Sequence, residues 1–371
     1  LYDRSDSAGE TLSSTRIYEV APDANKNSIA SVQLYPESGS GRVAMTEGLN
    51  YELNMGDPEV LKDFMIYCRQ NYETEHYAHG GGARSIVSEP EPANRLICVD
   101  DNTGSGSGSD FLFTDELQQA LKAVVDSGDF ASGIDLIGAD ACVMATVEAA
   151  YELREVTEYY AASMAPVHSG GWDYSDLFGR MTPGSGSSDP EALAGLIVDS
   201  FRDTAPLSPV PAFSAVKTST LEDLKTAVDL LAVQLYKTGE QSVIESIRDA
   251  SVNFYDENYE AEVIAQPYID INDFCSLIIN NRLLLDDSTV QAAERVLNEL
   301  SQTVVSAYAG AGLGNYYGTG AEVKRGLSIF FSKGNLIYNN LPHYSYQYWY
   351  TDKDCSSMGP YGFIDFCTSN D

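Results

Sequence analysis

The chain has 371 residues, 43% of them hydrophobic, and carries 22 Lys and Arg against 55 Asp and Glu, a formal net charge of −33. That length and apolar content suit one large α/β domain or two modest ones, while so acidic a surface repels phosphate backbones and argues against nucleic acid as a partner. No stretch approaches the roughly 18 consecutive apolar residues of a membrane helix, and the opening LYDRSDSAGE has neither an initiating Met nor the order of a signal peptide, so the chain reads as a mature or trimmed form.

Taken in order, NSIASVQLY (27–35) predicts a strand. A helix follows, with Asp57 as N-cap, Pro58 at its first position and Val60, Leu61, Phe64, Met65 and Tyr67 at helical spacing. Next comes EHYAHGGGARS; three successive glycines fit neither a helix nor a central strand, which puts His79 on a loop. An apolar run over 94–99 leads into DDNTGSGSGSD, an acidic flexible loop by composition, then a helix with Thr114 as N-cap. IDLIG (134–138) has the make-up of a buried parallel strand, and CVMATVEAAYELREV after it predicts a helix beginning near Val143.

The pattern continues with YYAASM as a strand, PVHSGGWDY as a loop, a helix over 189–204 and a strand over 211–219. Helices are expected over 221–237, 239–254, 270–284 and 288–308, and RGLSIFF (325–331) as the last strand. Helices alternating with buried strands predict an α/β fold with a mainly parallel central sheet covered on both faces. Residues 1–205 would form the core, and a helix-rich part, 206–371, would add strands 211–219 and 325–331 to the same sheet.

Six cysteines are too sparse for a disulfide scaffold and show no zinc spacing; Cys355 and Cys367 flank a short loop and are the one pair placed to bond. Cys142 stands where a buried strand ends, the place where functional residues of open α/β sheets collect. It is either a core thiol or a nucleophile whose thiolate the following helix N-terminus favours. The four histidines are His76, His79, His168 and His343. His79 is the best partner, because the glycines after it leave room for substrate and aim N–H groups at an oxyanion. Asp140 either caps the helix or lines a pocket. Asp100, Asp101 and Asp110 flank the GSGSGS tract without EF-hand spacing, so a solvated loop is preferred to a calcium site and no cofactor is expected.

The stretch DLIGADACVMATVEAAYEL, with HGGG some 60 residues upstream, resembles the clostripain family of cysteine peptidases, relatives of the caspase, legumain and gingipain group. NMGDPEVLKDF, VDDNTG, GGWDY, YIDINDF and RGLSIFF extend the likeness over residues 27 to 331. The resemblance implies a caspase-like αβα sandwich and an endopeptidase with a Cys142/His79 dyad. It further implies an oxyanion hole from the N–H groups of Cys142 and Gly80, and an S1 pocket in which Asp140 favours Arg or Lys at P1. Ser163, His168, Gly170 and Trp172 fall on the substrate-binding segments. The pattern departs at Met164 and Gly170, where basic-P1 members carry acidic residues, so one of two expected negative charges is missing. EHYAHGGG also has little of the apolar strand expected ahead of the histidine, and no Lys or Arg lies between Arg95 and Lys122 for activating cleavage. The chain is expected to be a secreted or cell-surface monomer acting on peptide or protein substrates; a degenerate, peptide-binding relative is the alternative.

Overall fold

The computed structural model describes residues 17–19, 32–35, 53–72, 74, 76–82, 96–100, 110–128, 133–165, 167, 171–182, 184–204, 212–252, 268–309 and 326–331. In chain order the elements are β1 (Ile17–Glu19), β2 (Val32–Tyr35), α1 (Pro58–Asn71), β3 (Ala78–Gly82), β4 (Leu96–Asp100), β5 (Asp110–Phe113), α2 (Thr114–Asp126) and β6 (Ile134–Asp140). They continue with α3 (Val147–Glu152), β7 (Thr157–Ser163), α4 (Tyr174–Arg180), α5 (Pro190–Thr204), β8 (Ala212–Lys217), α6 (Leu221–Thr238) and α7 (Gln241–Ala250). The last are β9 (Tyr268–Asp270), α8 (Ile271–Asn280), α9 (Asp287–Thr303), β10 (Val304–Ala309) and β11 (Ser328–Phe330).

The chain divides into two units, one of residues 1–75 and 96–132, the other of 76–95 and 133–371. The first holds two antiparallel ribbons, β1–β2 and β4–β5, and the helices α1 and α2. Asp57 caps α1 by accepting the Glu59 N–H at 2.9 Å, with Pro58 supplying the preset φ of the first turn. In α2, Thr114 is the first helical residue rather than the cap, and the Glu116 carboxylate reaches back to the Phe113 N–H at 3.0 Å.

The second unit is built on a five-stranded sheet in the order β10-β8-β7-β6-β3. β3, β6 and β7 are mutually parallel, β8 runs against β7, and β10 runs against β8. One face is apolar: Leu136, Tyr159, Ala161, Phe213 and Ala215 pack with Leu177 of α4 and Ala194, Ile197, Val198 and Phe201 of α5. Alternation sends Ile137, Tyr160 and Val216 to the other face, and there α9 packs on β8 and β10 while α6 packs on α9 and α3.

Three expectations are corrected. The helix expected to run to residue 308 ends at Thr303, where the β-branched pair Val304 and Val305 turns into β10. The strand expected at 325–331 lies outside the main sheet: β11 pairs with β9 in a two-stranded ribbon. The glycines after His79 form β3, a strand at the sheet edge, which is allowed because only one side needs pairing.

Gly138 in β6 shows how tightly the apolar face is filled. A Cβ added there would lie 2.8 Å from Cη2 of Trp172, whose ring meets Phe213 edge-on at 5.3 Å. Gly138→Ala is expected to destabilise the protein by about 1–3 kcal/mol through displacement of the indole, read as a lower urea midpoint with an unchanged m-value.

Candidate active site

β6 delivers the candidate residues. It is buried along nearly its whole length, as a central parallel strand must be, and its last residue is Asp140. Ala141 to Val143 form a turn, and α3 starts only at Val147, with the Thr146 hydroxyl accepting the Ala149 N–H at 3.1 Å. This corrects the expected helix start near Val143: Cys142 lies ahead of the N-cap, so the helix terminus is not what acts on its sulfur. The donor is main chain instead. The Val167 N–H points at Cys142 Sγ at 3.2 Å, in reach of a thiolate, and the Val167 carbonyl lies 3.7 Å away.

Val143 has φ +55, a left-handed conformation that costs a β-branched residue about 1–3 kcal/mol. Several contacts hold it there. Val143 N–H donates to Ala165 O at 3.2 Å and Ala145 N–H to Ser163 O at 2.9 Å, while Ala145 O accepts from Ser328 N–H at 3.0 Å. The Tyr160 hydroxyl adds a bond to Met144 O at 3.0 Å, and Glu148 accepts the Phe330 N–H at 2.8 Å. The turn carrying Cys142 is thus gripped by β7 and by β11. Cys142 is half-buried and is not in a disulfide. Cys275 is wholly buried and Cys68 half-buried, and loss of solvent pushes both their thiols up.

Asp140 is 6% exposed. Its Oδ2 accepts the Trp172 N–H at 3.0 Å and the Tyr174 hydroxyl at 3.1 Å, while Oδ1 is buried and takes no hydrogen bond from the described residues. Burial raises this carboxyl above its ordinary range, and the two donors offset part of that. Gly171 makes the arrangement fit: it has φ +67, and a Cβ there would run into the Asp140 carboxylate. Trp172 Nε1 is another buried polar atom with no partner among the described residues.

Asp140 and Trp172, expected in one pocket, therefore do meet. Ser163 does not line it: the side chain is fully buried, its one hydroxyl proton lies between the carbonyls of Ala212 and Ala165, each 2.8 Å from Oγ, and Oγ accepts the Ala165 N–H at 3.2 Å, so it braces the loop after β7. His168, Gly170, the Cys355–Cys367 pair, Asp101 and His343 lie outside the described residues. Asp100 and Asp110 are partners in the β4–β5 register, and no group of three metal-ligating side chains occurs among the described residues.

His79 and Gly80 stand on β3 opposite Ile137 and Gly138. From Ile137 to Asp140 is three residues, about 10 Å of strand. In this register His79 is set back from the carboxyl end of β6, where Gly82 is opposite Asp140. The lower end of β3 is pinned by Asp135: the Tyr77 N–H donates to its carboxylate at 2.7 Å, its own N–H donates to Tyr77 O at 3.0 Å, and His76 Nδ1 lies 3.1 Å from the other oxygen.

Sequence reading missed Val143, Tyr174 and the Val167 main chain. GGWDY contains Tyr174 and the glycine beneath Asp140, so that motif held the signal; nothing in the sequence marks Val143 as left-handed.

A thiol on a strained turn at the carboxyl end of a buried parallel strand, beside a buried carboxylate, in a mixed, mostly parallel sheet between helices, defines a caspase-like cysteine hydrolase. A model of the clostripain family matches residues 20–363. The chain is 32% identical over 405 positions to clostripain of Hathewaya histolytica, covering 97% of this chain and 72% of that protein. It belongs to the clostripain family of cysteine peptidases and is a cysteine-type endopeptidase. The fold is shared with an inactive zymogen C11 protease from Parabacteroides distasonis (TM-score 0.55, 17% identity, 91% of this chain and 83% of that one). It is shared too with a secreted C11 cysteine protease from Bacteroides thetaiotaomicron bound to an irreversible peptide inhibitor (TM-score 0.51, 16% identity, 80% and 77%).

Loss of solvent around the His79 ring lowers its pKa from 6.5 to about 4. A base whose folded pKa is depressed leaves the unfolded chain holding more protons between the two values, so stability falls as pH drops from 6.5 toward 4. NMR titration should place the His79 ring near the lower value, and His79→Gln should remove part of the acid loss, on the order of 1 kcal/mol, in urea melts at pH 7 and pH 5.

Proposed function

We propose that the chain cleaves peptide bonds through Cys142 and His79, with Asp140 at the base of an S1 pocket that takes a basic P1 side chain. The observation that carries this reading is the turn at residues 141–143, which presents Cys142 at the carboxyl end of β6 on a strained, pinned backbone with an N–H aimed at its sulfur. The neutral His79 ring takes the thiol proton as Cys142 sulfur adds to the scissile carbonyl, and the tetrahedral oxyanion is held by the N–H groups of Cys142 and Gly80. The imidazolium so formed returns that proton to the leaving amine as the C–N bond breaks, leaving a thioester that water then hydrolyses.

In this reading β3 advances by two residues to bring His79 opposite Ala139. A two-residue step keeps every side chain on its face and raises the imidazole by about 6.6 Å. Three glycines offer no side chains to fix the register, and the step releases the Tyr77–Asp135 bonds. The Tyr77 amide should therefore lose hydrogen-exchange protection when Cys142 is acylated by a peptide inhibitor. Unchanged protection at Tyr77 would count against the advance.

The substrates are peptides or proteins, and the enzyme acts outside the cytoplasm as a monomer. No described helix is long and apolar enough to cross a membrane, and the net charge of −33 favours basic partners. Cys142→Ala should lower kcat by at least about a thousandfold, and Cys275→Ala should leave it intact. Asp140→Asn should reduce kcat/KM on Arg- and Lys-P1 peptides by about tenfold to a hundredfold while sparing neutral P1 peptides. A fluorogenic library in which neutral P1 residues match basic ones in the wild type would defeat the S1 assignment.

A further inference from the structure

A carboxylate oxygen accepts two hydrogen bonds, so the four lone pairs of Asp140 can be accounted for one by one. Both on Oδ2 are occupied, by the Trp172 N–H at 3.0 Å and the Tyr174 hydroxyl at 3.1 Å. Neither on Oδ1 is taken by a described residue, and that oxygen is buried. Buried polar atoms are nearly always paired in a folded chain, so an exception at the end of a strand that carries the candidate site calls for a partner from outside the chain.

Tyr174 is well placed to keep this asymmetry. Its ring tilts against Trp172 at 6.1 Å and against Phe178 at 6.0 Å, so it is fixed from both sides. Burial and the Asp140 charge raise its hydroxyl well above the ordinary value, so it remains a donor wherever the enzyme works. Gly171, with φ +67, leaves the space beside Oδ2 that any Cβ would take.

We infer that Tyr174 is a positioning residue that turns Asp140 into a single-point acceptor, so that the S1 site gives P1 Arg no advantage over P1 Lys. The inference rests on the reading of Asp140 as the base of S1. Guanidinium draws its advantage from a planar fork engaging two oxygens side by side, whereas an ammonium is a point charge that one oxygen satisfies. With Oδ2 saturated, the fork has a partner for one prong only. Gly170 supplies no second carboxylate for the other.

The test compares kcat/KM on peptides identical except for Lys, Arg or norleucine at P1, for the full chain and for Tyr174→Phe and Tyr174→Leu, each checked for folding by circular dichroism. The wild type should cleave the Lys peptide at least as well as the Arg peptide, and both better than norleucine. Either variant frees a lone pair on Oδ2 and should move the Lys-to-Arg ratio toward Arg by about tenfold, one charge-assisted hydrogen bond's worth, seen mainly in KM. A purely structural role for Tyr174 would lower both basic substrates together, and an unmoved ratio in the folded variants overturns the inference. So does a wild type that prefers Arg tenfold or more. Failure of the underlying S1 reading looks different: norleucine is then cleaved as well as Lys and Arg in every form, and the inference falls with it.

Discussion

The active-site half of this molecule is organised by a backbone constraint at Val143. To leave a buried strand and present the next side chain at the sheet's edge, the chain passes through a left-handed valine immediately after Cys142. Strain of that kind persists only where surrounding bonds over-determine it. Here the bonds come from two directions, the end of β7 and the loop after it through Ser163 and Ala165, and β11 through Ser328. This explains two features that otherwise look unrelated. Ser163 is buried because its hydroxyl braces the carbonyls of Ala165 and Ala212, and β11 stands outside the main sheet because it pairs with β9 while reaching Ala145 and Glu148.

Asp140 works in the opposite sense, as a cost that the fold carries. A carboxyl whose folded pKa is raised binds more protons folded than unfolded, so its contribution to stability falls as pH rises through that range. At neutral pH the fold holds a nearly unexposed carboxylate on two donors, with one oxygen unsatisfied. A sequence shaped for stability alone would place a neutral residue here. The residues around it are adapted to the burden: Gly171 makes room for the carboxylate, and Gly138 makes room for the indole whose main chain donates to it. Such exchanges of stability for a poised group are where functional sites are expected.

Much of this was legible in the sequence, and the remainder fails for identifiable reasons. Asp57–Pro58 and the periodic apolar residues fixed α1 to within its caps, and IDLIG followed by Asp140, Ala141 and Cys142 located the strand end and the thiol. Periodicity overran at both ends of helices that meet strands. CVMATV reads as helical, yet the N–H groups of Val143 and Ala145 are claimed by the carbonyls of Ala165 and Ser163 at and after the end of β7, and Thr146 takes the cap. Likewise VVSAYA carries enough apolar residues to extend α9, but β8 offers it an edge to pair with. HGGG reads as a turn because glycine weakens strands; pairing along one side of β6 outweighs that weakness. Long-range pairing decided each case, and a local window contains no information about it.

The same principle singles out the register of β3 as the least determined feature of the site. β3 and β6 are neighbours in space but are separated by residues 83–133, so no short turn fixes how one slides along the other. Side-chain alternation normally supplies the missing specification, because a slipped strand turns its apolar face to water. Gly80, Gly81 and Gly82 have no side chains to expose, and a Cβ on Gly80 would meet nothing within 4 Å. Besides its ladder to β6, side-chain bonding of the strand is seen at its lower end, between Tyr77 and Asp135. The position of Cys142 is over-determined by the turn after β6, whereas the glycines of β3 bring no side-chain packing to fix where His79 stands along it.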